Sequence, residues 1–239
     1  MTTRHNGRRP DQLRPIKITP KFLTAPAGSC LIEMGNTRVI CSAMLEESVP
    51  PFLKGSGQGW LTAEYSMLPA SSPQRINRER SKIGGRTQEI QRLIGRSLRN
   101  CVDLKAMGER SWLIDCDVID ADGGTRTASI TGSYVALVLG LRAVGIKTPS
   151  VLKALRVAVS AISVGIVKGT PVLDLDYIED KGAEVDMNVV KTSANQFVEV
   201  QGTAEAAPFD KNALDALLAL ADKGTRELFE IQNRVLESL

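Results

Sequence analysis

The chain has 239 residues, 43% of them hydrophobic and 24% charged, and a net charge of +3. That size and apolar content exclude a disordered chain and fit one large domain or two small ones fused closely together. The polar, basic first residues do not resemble a secretory signal, and no apolar run is expected to reach the ~20 residues that cross a bilayer; a cytoplasmic protein with no membrane partner is the expectation.

Residues 30–41 read as strand, tight turn, strand, with Gly35-Asn36 able to supply positive φ for a hairpin. Residues 50–81, rich in Pro, Gly and Ser, read as a long exposed loop region of the kind that carries function or joins subunits. From 87 to 104 the apolar residues Ile90, Leu93, Ile94, Leu98, Cys101 and Val102 follow helical spacing, with Arg92, Arg96 and Arg99 opposite. Thr87 is the expected N-cap, and Glu89 falls in the first turn, where the helix dipole favours an acid.

Residues 112–119 alternate, with Trp112, Ile114, Cys116 and Val118 on one face and Asp115 and Asp117 on the other, which predicts a strand. A glycine turn at Gly123-Gly124 leads into a small-residue helix over 128–143, apolar enough to be buried. Residues 155–167 are β-branched and predict a strand. Residues 172–178 and 183–190 are expected to form a hairpin around 180–182, followed by a strand over 195–202. Residues 211–238 form one or two amphipathic helices interrupted near Gly224. Strands in hairpins with interspersed helices give an α+β class, not a doubly wound parallel sheet.

Charge is distributed unevenly. Residues 75–110 hold ten Lys/Arg against four Asp/Glu, and the N-terminal arm adds Arg4, Arg8, Arg9, Arg14, Lys17 and Lys21. The acids gather around 174–186 and in the last helices. A basic front with an acidic pocket suits a polyanion plus a metal ion, although exposed helix faces are commonly basic too. The four cysteines, Cys30, Cys41, Cys101 and Cys116, have no C-x-x-C spacing, and His5 is the only histidine. That combination disfavours a zinc site and a histidine-based triad, and the thiols read as buried and reduced.

Two segments share a design. Gly84-Gly85-Arg86-Thr87 and Gly123-Gly124-Thr125-Arg126 each place two glycines, an arginine and a threonine at a helix start. Glycines admit an anion close to the backbone, helix-start N–H groups point at it, and arginine grips phosphate with a planar fork. Neither segment matches the nucleotide-triphosphate loop or the dinucleotide fingerprint, which disfavours an ordinary NTPase or dehydrogenase. On the acidic segment, alternation puts Glu184, Asp186 and Asn188 on one face, with Asp180 at the turn beside them. Oxygen-only ligands of this kind suit Mg²⁺ or Mn²⁺, and an exposed acidic hairpin edge is the plainer alternative. Arginines that hold an anionic nucleophile and carboxylates that hold a metal are what phosphoryl transfer requires.

The chain resembles the bacterial ribonuclease PH family of phosphorolytic 3′-5′ exoribonucleases over nearly its whole length. The resemblance is carried by residues 11–15 (DQLRP), 59–69 (GWLTAEYSMLP), 85–96 (GRTQEIQRLIGR), 115–132 (DCDVIDADGGTRTASITG), 186–190 (DMNVV) and 199–205 (EVQGTAE). It implies a single domain over 1–239 with the ribosomal-protein-S5-like βαβ fold of the ribonuclease PH type, forming a homo-hexameric ring, a trimer of dimers. It implies orthophosphate as co-substrate, held by Arg86, Gly124, Thr125 and Arg126, and an acidic pair, Asp180 and Asp186, for Mg²⁺ or Mn²⁺, with Asp186 the main metal ligand and Asp180 either a second ligand or the proton donor to the leaving 3′ oxygen. The implied reaction is reversible trimming of precursor tRNA 3′ ends with release of nucleoside diphosphates, with a further role in rRNA turnover and no DNA substrate. Arg75, Arg78, Arg92 and Arg96 are expected on the RNA backbone, Arg92 being equally suited to a subunit contact. The family carries an arginine directly after Met-Leu-Pro; here that place is Ala70, with Arg75, Arg78 and Arg80 in the same loop. Two rival readings are a catalytically silent ring subunit, which would have lost some of Arg86, Arg126, Asp180 and Asp186, and a metal-dependent hydrolase, which would need no paired phosphate grip.

Overall fold

A computed structural model describes residues 4–79, 82–145 and 149–239; Arg80 lies outside them. The first half is a five-stranded sheet built from β1 (Ile16–Pro20), β2 (Gly28–Met34), β3 (Thr37–Glu46), β4 (Trp60–Met67) and β5 (Ser111–Asp120), in the order β1-β2-β3-β5-β4. Helix α1 (Gly85–Arg99) links β4 to β5, which run parallel. Parallel neighbours need such a crossover, and this one supplies the βαβ unit. The second half is a four-stranded sheet of β6 (Val159–Val167), β7 (Thr170–Leu173), β8 (Val185–Thr192) and β9 (Phe197–Ala204), in the order β7-β6-β8-β9, all antiparallel. A five-residue helix α3 (Tyr177–Lys181) leads into β8, and α4 (Lys211–Glu237) packs on β6 and β7.

Helix α2 (Thr125–Gly145) lies between the sheets and packs against β2, β3 and β6. It is apolar on every side and meets the length and hydropathy of a membrane span, contrary to the expectation that no segment would; 83% of its most apolar window is buried inside the protein, so it is the core helix. Its glycines permit close approach. A Cβ on Gly132 would come within 2.8 Å of Cys41 Sγ, and one on Gly140 within 2.7 Å of the Trp112 ring. The four cysteines are buried and free.

Several predicted elements change. Residues 50–81 are not all loop: β4 runs through them, with Leu61, Ala63 and Tyr65 facing inward on alternate positions. Helix α1 begins at Gly85 and not at 87, its N-cap is Gly84, and Thr87 instead donates to Glu79 Oε1 at 3.2 Å. The helix ends at Arg99, and α2 starts three residues ahead of the predicted 128. The hairpin expected across 172–190 does not exist: β7 pairs with β6, α3 intervenes, and β8 pairs with β6 and β9. Asp176 and Glu179 form a reciprocal capping box that makes this turn helical. Helix α4 is unbroken at Gly224, where a Cβ would meet Leu173 Cδ1 at 2.7 Å; the glycine serves packing.

Of the arginines and lysines of the basic N-terminal arm, only Arg9, Lys17 and Lys21 are exposed. Arg4, Arg8 and Arg14 are buried and bonded to the acidic segment. Arg4 Nε donates to Glu179 Oε1 at 2.6 Å, Arg8 Nη2 to Glu179 Oε2 at 3.1 Å, and Arg14 Nη2 to Asp174 Oδ1 at 2.7 Å. His5 Nε2 meets Asp176 Oδ2 at 2.7 Å. Arg96 pairs with Glu199 at 2.7 Å, and Arg99 lies over the Trp60 ring, so two of the three helix-face arginines are engaged within the chain.

Candidate phosphate and metal site

Where β5 ends and α2 begins, the chain makes a turn at Gly123 and Gly124, both with positive φ (+75° and +65°). A Cβ on Gly123 would stand 2.6 Å from Leu175 O, so the turn is open to glycine alone. Thr37 braces it, its hydroxyl donating to Gly123 O at 2.6 Å and accepting from Asp122 N at 2.9 Å. The next residues, Thr125 and Arg126, are the first of α2, whose leading N–H groups lack partners within the helix. The turn at Gly84-Gly85 is different: neither glycine has positive φ, and a Cβ on Gly85 would meet nothing within 4 Å.

One cavity of about 580 Å³ brings the predicted residues together. Arg86, from the start of α1, Gly124, Thr125 and Arg126, from the start of α2, Asp180, from α3, and Asp186, from β8, all line it. Arg75, Asn188 and Lys181 line it as well. A larger hollow adjoins it and shares Ser72, Pro73, Ala121 and Tyr177; Ala70 lines that hollow and not the site itself.

Arg126 is held from the side. Its Nη1 donates to Gln201 Oε1 at 2.8 Å and lies 3.5 Å from Glu89 Oε1. Gln201 Nε2 donates in turn to Glu89 Oε1 at 2.6 Å. Thr125 Oγ1 shares a 2.9 Å hydrogen bond with Tyr65 OH, so its hydroxyl is oriented by the β4 strand. These contacts hold the fork and the hydroxyl in place.

The two carboxylates oppose this cationic side. Burial raises the Asp180 carboxyl, Arg126 and Arg86 pull it back, and Glu205 raises it further. Asp186 is pushed up to about 6 by burial, then by the charge of Asp180, with Arg126 opposing and Glu205 adding. Two carboxyls raised chiefly by burial, with an amide in Asn188 lining the same cavity, form a hard oxygen donor set whose desolvation a divalent cation would relieve. By contrast His5, Asp176 and Glu179 also cluster, but Arg4 and Arg8 already neutralise Glu179, leaving that group structural. Glu184, expected beside Asp186, accepts instead from Gly169 N at 2.9 Å.

Gln201, Glu205, Tyr65 and Ser163 had no role in the sequence reading. Gln201 and Glu205 lie in the 199–205 stretch and Tyr65 in the 59–69 stretch, which carry the resemblance; Ser163, whose Oγ accepts from Leu175 N at 3.1 Å, left no signal.

The chain matches the family models "3′ exoribonuclease family, domain 1" over residues 12–140 and "3′ exoribonuclease family, domain 2" over residues 158–224. It is 57% identical over 237 residues to the ribonuclease PH of Syntrophomonas wolfei, covering 98% of each chain. It is 58% identical over 237 residues to the ribonuclease PH of Neisseria meningitidis, covering 97% of each. In fold it is similar to a chain of an Archaeoglobus fulgidus exosome solved with RNA bound to the active site (TM-score 0.79, 20% identity, 95% and 91% of the two chains). Rice Rrp46 is similar too (TM-score 0.78, 18% identity, 98% and 100%). The chain belongs to the 3′ exoribonuclease family, and within it to the ribonuclease PH group.

Proposed function

We propose that in this member of the ribonuclease PH family Arg86, Gly124, Thr125 and Arg126 hold orthophosphate, and that Asp180 and Asp186 hold a divalent cation, Mg²⁺ or Mn²⁺, beside it. The protein is a phosphate-dependent 3′-5′ exoribonuclease, a nucleotidyltransferase that removes the terminal nucleotide of an RNA as a diphosphate. The observation that supports the site assignment is the meeting of two arginines, a glycine turn at a helix start and two carboxylates in one cavity.

The geometry supports these roles. Arg86 and Arg126 neutralise and orient the phosphate, while N–H groups of residues 124–126 receive its oxygens. Held there, orthophosphate is presented to the last phosphodiester of the RNA in line. The terminal nucleotide leaves as a diphosphate, and the shortened chain keeps a free 3′ hydroxyl. A cation at Asp180 and Asp186 would offset charge building on the attacked phosphorus. In the alternative division Asp186 alone holds the cation, and Asp180, its carboxyl raised by burial, lowered by Arg126 and Arg86 and raised by Glu205, gives a proton to the departing 3′ oxygen. Arg75 at the cavity and Arg92 on the exposed face of α1 would hold the RNA backbone without reading sequence.

Precursor tRNA 3′ ends, with rRNA as a further substrate, and a homo-hexameric ring in the cytoplasm complete the reading; one similar solved structure is an exosome with RNA bound to the active site. The deciding experiment is trimming of an RNA with a short 3′ extension, with Mg²⁺, with and without orthophosphate. Diphosphates released only with phosphate are expected, and excess nucleoside diphosphate should drive extension, because one phosphoryl linkage is exchanged for another of similar energy. Monophosphates without phosphate would mean hydrolysis. Binding without release would mean a silent subunit.

A further inference from the structure

The stretch 11–15 belongs to the resemblance, yet phosphate and metal binding give it no task. Arg14 supplies one. Its side chain is 5% exposed, and it grips the fully buried Asp174 with Nε to Oδ2 at 3.0 Å and Nη2 to Oδ1 at 2.7 Å. Its backbone N–H adds a third bond to Oδ2 at 2.8 Å. The other edge of the same guanidinium faces the glycine turn: Nη1 donates to Asp122 O, and Nη2 reaches Gly123 O at 3.5 Å. It lies so close to Gly124 that a Cβ there would stand 3.1 Å from Nη2.

A single planar cation therefore joins two segments distant in sequence. One is the turn that opens α2 and would hold orthophosphate. The other is the segment from Asp174 into α3, which carries Asp180. Asp174 itself sits at φ +56°, a left-handed conformation unusual outside glycine and sustained here by the grip on its carboxylate. Downstream, Asp176 caps α3 and Arg4 holds Glu179, so the path from Arg14 to Asp180 is bonded at each step. A buried, multiply bonded arginine of this kind fixes register between segments, and lysine lacks the rigid fork to do it.

We propose that Arg14 is a positioning residue for phosphorolysis, locking the turn that holds orthophosphate to the segment that carries the metal-holding Asp180. The inference rests on the site reading above. The test is Arg14→Lys, which keeps the charge and loses the fork. Orthophosphate binding is measured by calorimetry and Mn²⁺ binding by electron paramagnetic resonance titration, both on the whole RNA-free protein, with wild type and Arg126→Ala alongside. Weakening of both ions by about tenfold, the usual scale for loss of a residue that orients ligands, is expected with unchanged RNA affinity. If Arg126→Ala binds phosphate weakly but Arg14→Lys binds both ions like wild type, or loses only one, the positioning role is overturned and the site reading stands. If Arg126→Ala binds phosphate like wild type, the site reading falls and takes this role with it. A parallel loss of RNA affinity in Arg14→Lys would mark general damage and overturn the role. Should Arg14→Lys fail to fold, Asp174→Asn removes the charged partner of the same fork and is held to the same paired loss.

Discussion

Asp186 titrates at about 6 because burial, and then the neighbouring charge of Asp180, disfavour its ionised form. The relationship links catalysis to stability. Folded, this carboxyl takes up a proton more readily than it does in the unfolded chain. At this site the native state therefore holds more protons over the interval from about pH 4 to about pH 6, and the contribution of Asp186 to the stability of the metal-free protein falls as pH rises through that interval.

Asp186→Asn removes that cost together with the proposed metal ligand. Metal-free Asp186→Asn should be more stable than wild type at about pH 7, by up to about 3 kcal/mol, and match it near pH 4. Phosphorolysis should fall by about 100-fold or more. Calorimetric unfolding at the two pH values, with a trimming assay, checks all three; an equal melting temperature at neutral pH would refute the account of the raised carboxyl.

Gln201 should prove a phosphate-affinity residue without touching phosphate. It accepts from Arg126 at 2.8 Å and donates to Glu89 at 2.6 Å, so it sets the direction of the fork. Gln201→Ala should raise the KM for orthophosphate by roughly tenfold, the worth of one hydrogen bond to a charged group. The KM for RNA should change little. Steady-state kinetics at varied phosphate would detect a phosphate KM that stays put.

The two glycine turns should respond oppositely to a methyl group. Gly123→Ala forces a side chain into positive φ against Leu175 O, and should cost at least about 2 kcal/mol in denaturant unfolding. Gly85→Ala meets open space in the first turn of α1, and should lie between neutral and about 1 kcal/mol more stable. Matching effects at both sites would contradict the described backbone.

RNA binding should depend on salt through a few arginines. Arg75 lines the cavity, its Nη1 donating to Asn77 Oδ1 at 3.1 Å. Arg75→Ala should weaken RNA uniformly across sequences and reduce the slope of log affinity against log salt by about 0.7, one phosphate contact on a single strand. A change in sequence preference with an unchanged slope would count against a backbone contact.

Elements whose signal is local were legible in the sequence. The alternation from Trp112 to Val118 gave β5, and the spacing of Ile90, Leu93, Ile94 and Leu98 gave most of α1. The alternation of Leu61, Ala63 and Tyr65 was equally present, but the Gly- and Ser-rich residues around it masked β4. The short α3 carried its own mark, Asp176 with Glu179 three residues on, which is a capping box; acidic composition drew attention to a hairpin instead. For the site, Arg86, Gly124–Arg126, Asp180 and Asp186 could be named, but not brought together, because their meeting depends on how two sheets close around α2. The burial of Arg4, Arg8 and Arg14 was illegible for the same reason: their partners lie 160 to 175 residues away, and a basic arm reads the same whether it meets solvent or buried acids.

Helix α2 gives the two family-model halves a shared fate. Its residues are core to both sheets, so neither half has a complete apolar interior once the helix leaves. Amide hydrogen exchange should reflect this: protons in the middle turns of α2 should exchange only through global opening, and those of β3 and β6 facing it should exchange at the same slow limit. The glycine turn at Gly123 and Gly124 is thus spliced onto the segment expected to come apart last, and the proposed phosphate cradle should keep its shape until the whole fold melts.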